Sequence, residues 1–437
     1  MQSYRQKILG FFLLGFIFLS GIASANQNEH MVRVGLIQGQ QQVRVAAEEG
    51  FTVEELATGK TLGQSNPHAE WVFKALGEGL EAGSFLFTRP VKLTTHNKYI
   101  MVNGNPYRGQ IEVHPIAGTL TVINVLPAEA YLYGVVPREM PTNFPLEALK
   151  AQAVAARTYA FANMNKHHAD GFDLCATIHC QVYGGVAAEH PHTTVAVDAT
   201  QNEVMRYQGH LINAYYHASS GGHTENCEFV WNSSVPYLQG VPDFDSNSPY
   251  ANWVVKYSPE ELDAALYRGG IQVGRIEDIE LLNRGVSGRV SELRLRGSRG
   301  EQVITGNQFR DILGYTELPS TLFDIEFQNP GKGFTNITCR PEQLICVMGG
   351  DGNNISWQAG DISVVGKDQA GRQAMAIIGL TEYTQEQIVF RGSGLGHGLG
   401  LSQWGAKAMA ELAPAAGPDF YRAILSHYYQ GVTIEPY

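Results

Sequence analysis

The N-terminal part of the chain alternates between apolar and polar positions in short runs. Segments such as VRVGLI (32–37), QIEVHPI (110–116) and TLTVINVL (119–126) are typical of strands, and glycine and asparagine turns separate them. The segment VNGNPY (102–107) has the composition of a tight hairpin turn. The pattern predicts a β-rich region over residues 26–118.

The apolar period changes to helical spacing after residue 144. Pro145 suits the first position of a helix, and alanine and leucine then recur three or four residues apart. The positions that carry this spacing are Leu146, Leu149, Ala153, Ala156 and Ala160. They predict a long alanine-rich helix that packs closely against its neighbours and ends near KHHADGFD (166–173).

The remainder of the chain mixes short helices with strands. SPEELDAALYRGG (258–270) predicts a helix with a serine cap, and TGNQFRDILG (305–314) and DFYRAILSHYYQG (419–431) predict two more. Residues 199–222 predict a turn or helix entry, then strands, then a loop of small residues. The polar, glycine-rich residues 329–388 are strand-like and predict an inserted β-rich segment.

These patterns together predict an α+β fold with a mixed α/β core that contains the long helix. The boundaries that they indicate are a leader at 1–25, the β-rich region at 26–118, the first part of the core at 119–257, a mixed α/β region at 258–328, the insertion at 329–388, and the last part of the core at 389–437.

The stretch GSGLGHGLGLSQWGAKAMA (392–410) places five glycines at alternate positions around His397. It fits neither a dinucleotide fingerprint nor a phosphate loop, because Ala406 separates Gly405 from Lys407 and no hydroxyl residue follows that lysine. Two interpretations remain open. The glycines bring backbone close to a ligand, or they form a turn that leads into a packed helix.

Charge and the N-terminus indicate an exported protein that does not bind nucleic acid. The chain has 42 acidic and 31 basic residues and a net charge of −11, which disfavours nucleic acid as a partner. Arg5 and Lys7 precede an apolar run at 8–19 and a small-residue cleavage site at 23–25, so we expect export to the periplasm or cell wall. The alternative is an uncleaved membrane anchor.

Export affects how the five cysteines are interpreted. Cys339 and Cys346 are close in sequence, and a disulfide between them is the default expectation in an oxidising compartment. Cys175 and Cys180 form a second close pair, with His179 beside them. This second pair predicts either a disulfide or a metal site. Cys227 belongs to neither of these two pairs.

Two further segments concentrate polar residues that suit catalysis. Glu139 lies between two prolines ahead of the long helix, and an acid fixed in an apolar bend can have a raised pKa and donate a proton near neutrality. We expect the neighbouring Arg138 to point away, as adjacent residues of an extended chain do. The simpler interpretation is a solvated loop acid. The second segment, YHASSGGHTE (216–225), suits a ligand loop, or a serine nucleophile with a histidine base, although it lacks the G-x-S-x-G elbow.

Taken in order, these segments resemble the stage II sporulation protein D family, which carries the SpoIID/LytB domain and is also called amidase enhancer. The resemblance spans roughly residues 119–434 and leaves out the insertion. The matching pieces are LTVINVLPAEAYLYGVVPREMPTNFPLEALKAQAVAARTYA, DLCATIHCQVYGG, YYHASSGGHTE, PYLQGVPDFD, FRGSGLGHGLGLSQWGAKAMA and ILSHYYQGVTI.

The resemblance implies a lytic transglycosylase that acts on peptidoglycan glycan strands stripped of stem peptides. Glu139 matches the catalytic glutamate of the family and would act as acid and then as base, with no cofactor required for catalysis. The glycines would approach the sugar chain. The residues that we assign to glycan binding are Lys150, Gln152, Arg157, His217, Ser219, Ser220, His397, Ser402 and Gln403.

The resemblance also implies a structural zinc ion and binding partners for the protein. The zinc ligands would be Cys175, His179 and Cys180, with His168, or else His167, as the fourth. The expected partners are glycan strands and a cell-wall amidase, with the membrane a partner only if the leader is retained as an anchor. A different class of function is also open, in which a non-catalytic protein binds wall glycan and enhances a separate amidase.

Overall fold

The computed structural model describes residues 30–96, 99–328, 362–367, 373–378, 386–413 and 417–437. The predicted leader at 1–25 and the predicted Cys339–Cys346 disulfide lie outside these residues. Within them, none of the helices is both long enough and apolar enough to cross a bilayer.

The N-terminal region is built from short strands, as the alternating pattern predicts. They are β1 (Met31–Gln40), β2 (Gln42–Ala46), β3 (Thr52–Glu55), β4 (Thr61–Gln64), β5 (Trp71–Leu76), β6 (Gly79–Ala82), β7 (Phe85–Phe87), β8 (Val91–Thr94), β9 (Ile100–Val102), β10 (Asn105–Tyr107), β11 (Gln110–Ile116) and β12 (Thr119–Pro127). They are followed by α1 (Ala128–Glu139), α2 (Leu146–Ala162) and β13 (Leu174–Cys175).

The strands form two sheets, in the orders β13-β1-β12-β11-β8-β3-β4 and β10-β9-β2-β5-β6-β7. Alternate side chains from both sheets, such as Phe73 from one and Val113 from the other, are buried in a single core. This is the sandwich expected when two half-apolar sheets bury their apolar faces against each other. The short strand β13 pairs with β1 in parallel and so fixes a later segment to the sheet edge.

The two helices that follow, α1 and α2, contribute to two of the hydrophobic cores. The predicted helix after Pro145 is confirmed as α2, which ends at Ala162. One face of α2, including Tyr159, packs with α1, β1 and β12. The opposite face, including Val154, packs against the C-terminal helices. Burial on both faces explains the alanine-rich sequence, because small side chains let neighbours approach closely.

The remaining elements complete the α+β fold, which agrees with the predicted class. They are α3 (Pro191–Asp198), β14 (Glu203–Tyr207), β15 (His210–Leu211), β16 (Tyr216–His217), α4 (Cys227–Trp231), β17 (Trp253–Tyr257), α5 (Pro259–Arg268), β18 (Ile276–Arg284), β19 (Val290–Gly297), β20 (Gly300–Thr305), α6 (Gly306–Leu313), β21 (Phe323–Gln328), β22 (Ile362–Lys367), β23 (Gln373–Ile378), β24 (Gln387–Gly392), β25 (Leu401–Ser402), α7 (Gln403–Leu412), α8 (Phe420–Tyr428) and β26 (Thr433–Pro436).

The mixed region after residue 258 has its own core, and its helices begin as predicted. Ser258 caps α5 with a capping box to Glu261, and Thr305 caps α6 in the same way with Gln308. Strand β24 lies between β17 and β21, and Gln328 pairs with Gln387. Gln328 is the last residue before the predicted insertion and Gln387 is the second-to-last residue inside it, so the two ends of the predicted insertion are neighbours, while its role and boundaries stay predictions.

Candidate active site and metal cluster

Glu139 is the last residue of α1, and not part of a loop as the flanking prolines suggested. Pro137 lies in the last turn of this helix, where few hydrogen bonds remain to be lost, so the helix continues through it. The prediction that Arg138 points away on extended backbone is therefore wrong. Arg138 is helical and exposed, and its charge acts on the carboxyl of Glu139.

The carboxyl of Glu139 is largely enclosed, and its pKa is raised. Burial is the main cause, because it disfavours the charged form. Three weaker influences oppose it, namely a hydrogen bond from the Val182 amide at 2.8 Å, a hydrogen bond from the Tyr216 hydroxyl, and the charge of Arg138. The group therefore keeps a larger protonated fraction near neutrality than a solvated glutamate does, as a proton donor requires.

A buried glutamine holds the tyrosine that touches Glu139. Gln181 donates from Nε2 to the Tyr216 hydroxyl at 3.0 Å and to the Ala156 carbonyl at 3.2 Å, and its Oε1 accepts from the Tyr131 hydroxyl at 3.2 Å. The sequence analysis did not single out Gln181, Tyr131 or Tyr216. Gln181 does follow Cys180 directly, and a polar side chain beside the cysteines and histidine of this segment is a signal that could have been used.

Four side chains form a cluster that suits a metal ion. His167, Cys175, His179 and Cys180 each offer one ligand atom within 4.8 Å of the others. The contacts are 3.2 Å between the two histidines, 3.7 Å from Cys175 Sγ to His179, and 3.5 and 3.8 Å from Cys180 Sγ to His167 and His179. Usual zinc–ligand bond lengths in a tetrahedron give edges of roughly 3.3–3.8 Å. The four contacts are therefore close to the edges of a zinc site.

The fourth side chain of the cluster is His167, so the assignment of His168 is wrong. Neighbouring side chains here point in different directions. The ring of His167 stacks on Phe172, while His168 is exposed. Nδ1 of His167 contacts a carboxylate oxygen of Asp170 at 2.9 Å, which leaves Nε2 facing the cluster. A carboxylate behind a histidine is the usual support of a metal ligand.

The two cysteines of the cluster are free thiols, which disagrees with the disulfide alternative. The Thr177 hydroxyl approaches Cys175 Sγ at 3.2 Å. Burial alone would raise the pKa of Cys175, but hydrogen bonds, first of all from Thr177, lower it to about 6. A thiolate is the form that binds metal. Cys227 is also free, and it is buried in the core.

The cluster and Glu139 share one short segment of chain. Cys180 is followed by Gln181, which holds Tyr216, and by Val182, whose amide binds Glu139. On the other side of the segment, Cys175 lies in β13 on the edge of the N-terminal sheet. A metal at the cluster would therefore fix the segment that positions the acid.

The glycan-binding assignments on α2 fall on residues with structural partners. Arg157 is fully buried and binds both carboxylate oxygens of Glu129 at 2.8 and 2.7 Å, at the opposite end of α1 from Glu139. Lys150 binds Glu147 at 2.7 Å and the Pro418 carbonyl at 2.6 Å. These contacts join helices, and the structure does not bring either residue together with Glu139.

The small-residue loop after β16 is held by two aspartates, Asp243 and the buried Asp245. The Ser219 hydroxyl donates to Asp245 at 2.5 Å, and the Ser220 hydroxyl donates to Asp243. Asp245 also accepts the amides of Gly221 and Gly222, each at 2.8 Å. Both serine hydroxyls therefore bind carboxylates and not a histidine, which does not support the serine-nucleophile hypothesis.

The alternating glycines approach other parts of the protein, which favours the interpretation as a turn that leads into a packed helix, and their contact with a sugar chain stays a prediction. Gly396, Gly398 and Gly400 all have positive φ. A Cβ on Gly396 would lie 2.7 Å from the Cβ of His217, and one on Gly400 would lie 2.1 Å from the Tyr215 carbonyl. The stretch packs against β16, whose residues pair in parallel with β25.

The polar residues of this stretch, and His217 in the neighbouring strand β16, also contact other parts of the protein. Ser402 caps α7 by accepting the Gly405 amide at 3.2 Å, and Gln403 donates to buried Gln152 at 3.3 Å. His217 donates from Nδ1 to the Leu399 carbonyl at 3.1 Å, and burial lowers its pKa to about 3. His397 lies beside it, with ring centres 5.5 Å apart, and its pKa is lowered well below the usual value, also by burial. Both rings are neutral at physiological pH.

Replacing Gly398 with alanine is expected to lower the melting temperature. The backbone has φ of +85°, and the new Cβ would lie 2.3 Å from Nε of buried Arg289. Gly222→Ala is the matched control, because its φ is +104° but nothing lies within 4 Å of its Cβ. Thermal melting should show a larger decrease in melting temperature for Gly398→Ala than for Gly222→Ala. Equal decreases would mean that the contact with Arg289 does not contribute to the loss of stability.

Comparison with known proteins places the chain in a family. A family model described as Stage II sporulation protein matches residues 117–207, which contain Glu139 and the metal cluster, and a model for a domain of unknown function (DUF8618) matches residues 238–340.

Three relatives match most of this chain. An uncharacterised protein of Brachyspira hyodysenteriae is 30% identical over 77% of this chain and 74% of its own length. The amidase enhancer of Bacillus subtilis is 31% identical over 81% of this chain but only 47% of its own length. Stage II sporulation protein D of Bacillus amyloliquefaciens is 28% identical over 71% of this chain and 74% of its own length. The chain therefore belongs to the stage II sporulation protein D family.

Proposed function

We propose that this protein is a lytic transglycosylase of cell-wall glycan strands, with Glu139 as its single acid and base. The observation that carries the proposal is the enclosed carboxyl of Glu139, which has a raised pKa and is held by the Val182 amide and the Tyr216 hydroxyl. The groups that oppose the raised pKa are the Val182 amide, the Tyr216 hydroxyl and Arg138, and none of them is a carboxylate. Glycoside hydrolysis usually needs two carboxylates, whereas lytic cleavage needs one.

Glu225, the acidic residue at the end of the segment YHASSGGHTE (216–225), is held by contacts within the protein. It is buried, and its carboxylate accepts the Val286 amide at 2.9 Å and the Ser287 hydroxyl at 2.6 Å. These contacts fix a loop.

The reaction uses one proton, which Glu139 first donates and then takes back. Protonated Glu139 gives its proton to the glycosidic oxygen between N-acetylmuramic acid and N-acetylglucosamine, and the bond from that oxygen to the anomeric carbon breaks. The primary hydroxyl of the same muramic acid residue then attacks the anomeric carbon, and the Glu139 carboxylate takes the hydroxyl proton. The products are a free N-acetylglucosamine hydroxyl and an anhydro muramic end. No water is consumed.

The residues around Glu139 position the acid in this scheme. Tyr216 and Val182 orient the carboxyl, and Gln181 holds Tyr216. Zinc at His167, Cys175, His179 and Cys180 would supply structural stability to the segment, because a site with four protein ligands leaves no open position for chemistry.

Activity is expected to decline as the pH rises through the raised pKa of Glu139, because the protonated form starts the reaction. Tyr216→Phe removes a hydrogen bond that favours the carboxylate, so this limb of the kcat/KM profile should move to higher pH. Tyr183→Phe is the control, since its hydroxyl donates to Asn124 instead. An unmoved limb in Tyr216→Phe would contradict the assigned role of the tyrosine.

A second function has one observation in its favour, the match to a relative named amidase enhancer. In that case the chain would bind wall glycan and stimulate a separate amidase without cutting glycan itself. Incubating the protein with denuded glycan strands separates the two, because only a transglycosylase releases soluble fragments without an amidase.

We place the protein outside the cytoplasmic membrane, in the periplasm or cell wall, where this substrate lies.

A further inference from the structure

The loop that carries His167 lies against the N-terminal sandwich. The sandwich strands β1 and β11 precede residue 117, where the Stage II sporulation protein model begins to match. Strand β1 pairs in parallel with β13, and this places Gly35 opposite Cys175, one of the four residues of the metal cluster. A part of the chain outside that match therefore borders the cluster directly.

Asp173 connects this loop to β1 through both oxygens of its carboxylate. Oδ2 accepts the Arg33 amide at 2.9 Å, and Oδ1 accepts the Asn165 amide at 3.1 Å. The backbone of Asp173 adds two more bonds, since its amide donates to the Arg33 carbonyl at 2.9 Å and its carbonyl accepts the His167 amide at 3.2 Å. Asp173 is only 5% exposed. It therefore fixes the backbone of His167 relative to β1.

The side chain of Arg33 holds the same loop from a second direction. Its guanidinium binds both carboxylate oxygens of buried Glu112, in β11, at 2.9 and 2.8 Å. It also donates to the Gly171 carbonyl at 3.1 Å. Two parallel bonds to a carboxylate fix a guanidinium in one orientation. Arg33 therefore connects two strands of the sandwich to the loop between His167 and Cys175.

Ring packing extends from β1 to the imidazole of His167 itself. The ring of Phe172 lies on Gly35, where an added Cβ would be 2.5 Å from Cζ of the phenylalanine. The same ring stacks on His167, with ring centres 4.9 Å apart and an interplanar angle of 24°. Phe172 is only 2% exposed, so it has little room to move. The orientation of the imidazole thus depends on the absence of a side chain at Gly35.

We infer that the N-terminal sandwich orients the metal cluster, with Arg33, Gly35 and Asp173 as positioning residues for His167. They act through the backbone of His167 and the packing of its ring. Ligands that are already in place lose less entropy when the metal binds. Groups that orient metal ligands typically change metal affinity by about 10- to 100-fold. The inference rests on zinc binding at the cluster and is independent of the reaction proposed for Glu139.

The affinity of the whole protein for zinc, measured by competition with a chromophoric chelator, tests this role without any measurement of activity. Gly35→Ala should weaken zinc binding by at least about tenfold, because the new methyl group displaces Phe172 and with it the imidazole. Asp173→Asn should have a similar effect, because an amide has one acceptor oxygen where the carboxylate has two. Arg33→Gln should weaken binding by about tenfold. Since the Arg33 side chain is 33% exposed, we expect this third variant to fold.

Val53→Ala is the control for general loss of stability. Val53 is fully buried in the core of the same sandwich, but it lies on β3 and belongs to a different core cluster from Phe172. This variant should lower the melting temperature and keep the zinc affinity of the wild-type protein. A loss of affinity in the positioning variants alone would support the inference.

Three results would overturn the inference. They are unchanged zinc affinity in Arg33→Gln and Asp173→Asn, an equal loss of affinity in Val53→Ala, and a wild-type protein that binds no zinc. None of them bears on whether Glu139 cleaves glycan. Conversely, zinc affinity that depends on Arg33, Gly35 and Asp173, in a protein that releases no fragments from glycan strands, would support the inference while the transglycosylase proposal fails.

Discussion

Replacing Glu139 with glutamine is expected to reduce glycan-strand cleavage by at least ~100-fold, the effect typical of losing a general acid–base group. Glutamine keeps the shape of the side chain, and its oxygen can still accept hydrogen bonds from the Val182 amide and the Tyr216 hydroxyl. It cannot give a proton to the glycosidic oxygen and then take one back. The melting temperature should therefore change little while fragment release stops.

Glu411→Gln is the matched control for this experiment. Glu411 also lies in the last turn of a helix, but its side chain is about half exposed and pairs with Lys407. The control should cleave strands at the wild-type rate. If Glu139→Gln cleaves as fast as this control, Glu139 is not the catalytic acid.

Replacing His167 with alanine is expected to remove the metal and to lower the melting temperature by at least about 5 °C, because a structural zinc contributes directly to folding. Metal analysis of the wild-type protein should give about one zinc per chain. Cys175→Ser should behave like His167→Ala. Activity should fall in the same variants, because the segment after Cys180 holds Glu139 through Val182 and Tyr216 through Gln181.

The adjacent histidine provides the control for the metal prediction. His168 is exposed and is not part of the cluster, so His168→Ala should keep the metal and the melting temperature. Zinc lost equally from both histidine variants would contradict the ligand set. A wild-type protein without metal, in which mass analysis shows Cys175 linked to Cys180, would contradict the metal site itself.

The periodic elements were predictable because burial dictates their sequence. The alternating strands of the N-terminal sandwich and the helix after Pro145 have regular apolar spacing, and α5 and α6 begin at recognisable capping residues. Helix α1 was missed because the sequence cue we relied on was the pair of prolines around Glu139. A proline in the last turn removes few backbone hydrogen bonds of the helix, so it does not exclude a helix there.

The arrangement of the site was less predictable, because it depends on contacts between distant segments. Chemistry and spacing identified three of the cluster residues, but the choice between His167 and His168 depends on the stacking of His167 against Phe172. The glycines were correctly interpreted as positions of close approach. What they approach, including His217 and Arg289, comes from other parts of the chain. Single-sequence spacing contains no information about such partners.

The most direct test of the proposed reaction follows the oxygen of water into the product. Denuded glycan strands are cleaved in water enriched in heavy oxygen, and the new muramic ends are analysed by mass, with the Glu139→Gln protein as the blank. A lytic transglycosylase forms the new bond from the sugar's own hydroxyl, so we expect anhydro ends that carry no heavy oxygen. Reducing ends that have gained one heavy oxygen atom would identify a hydrolase and contradict the account.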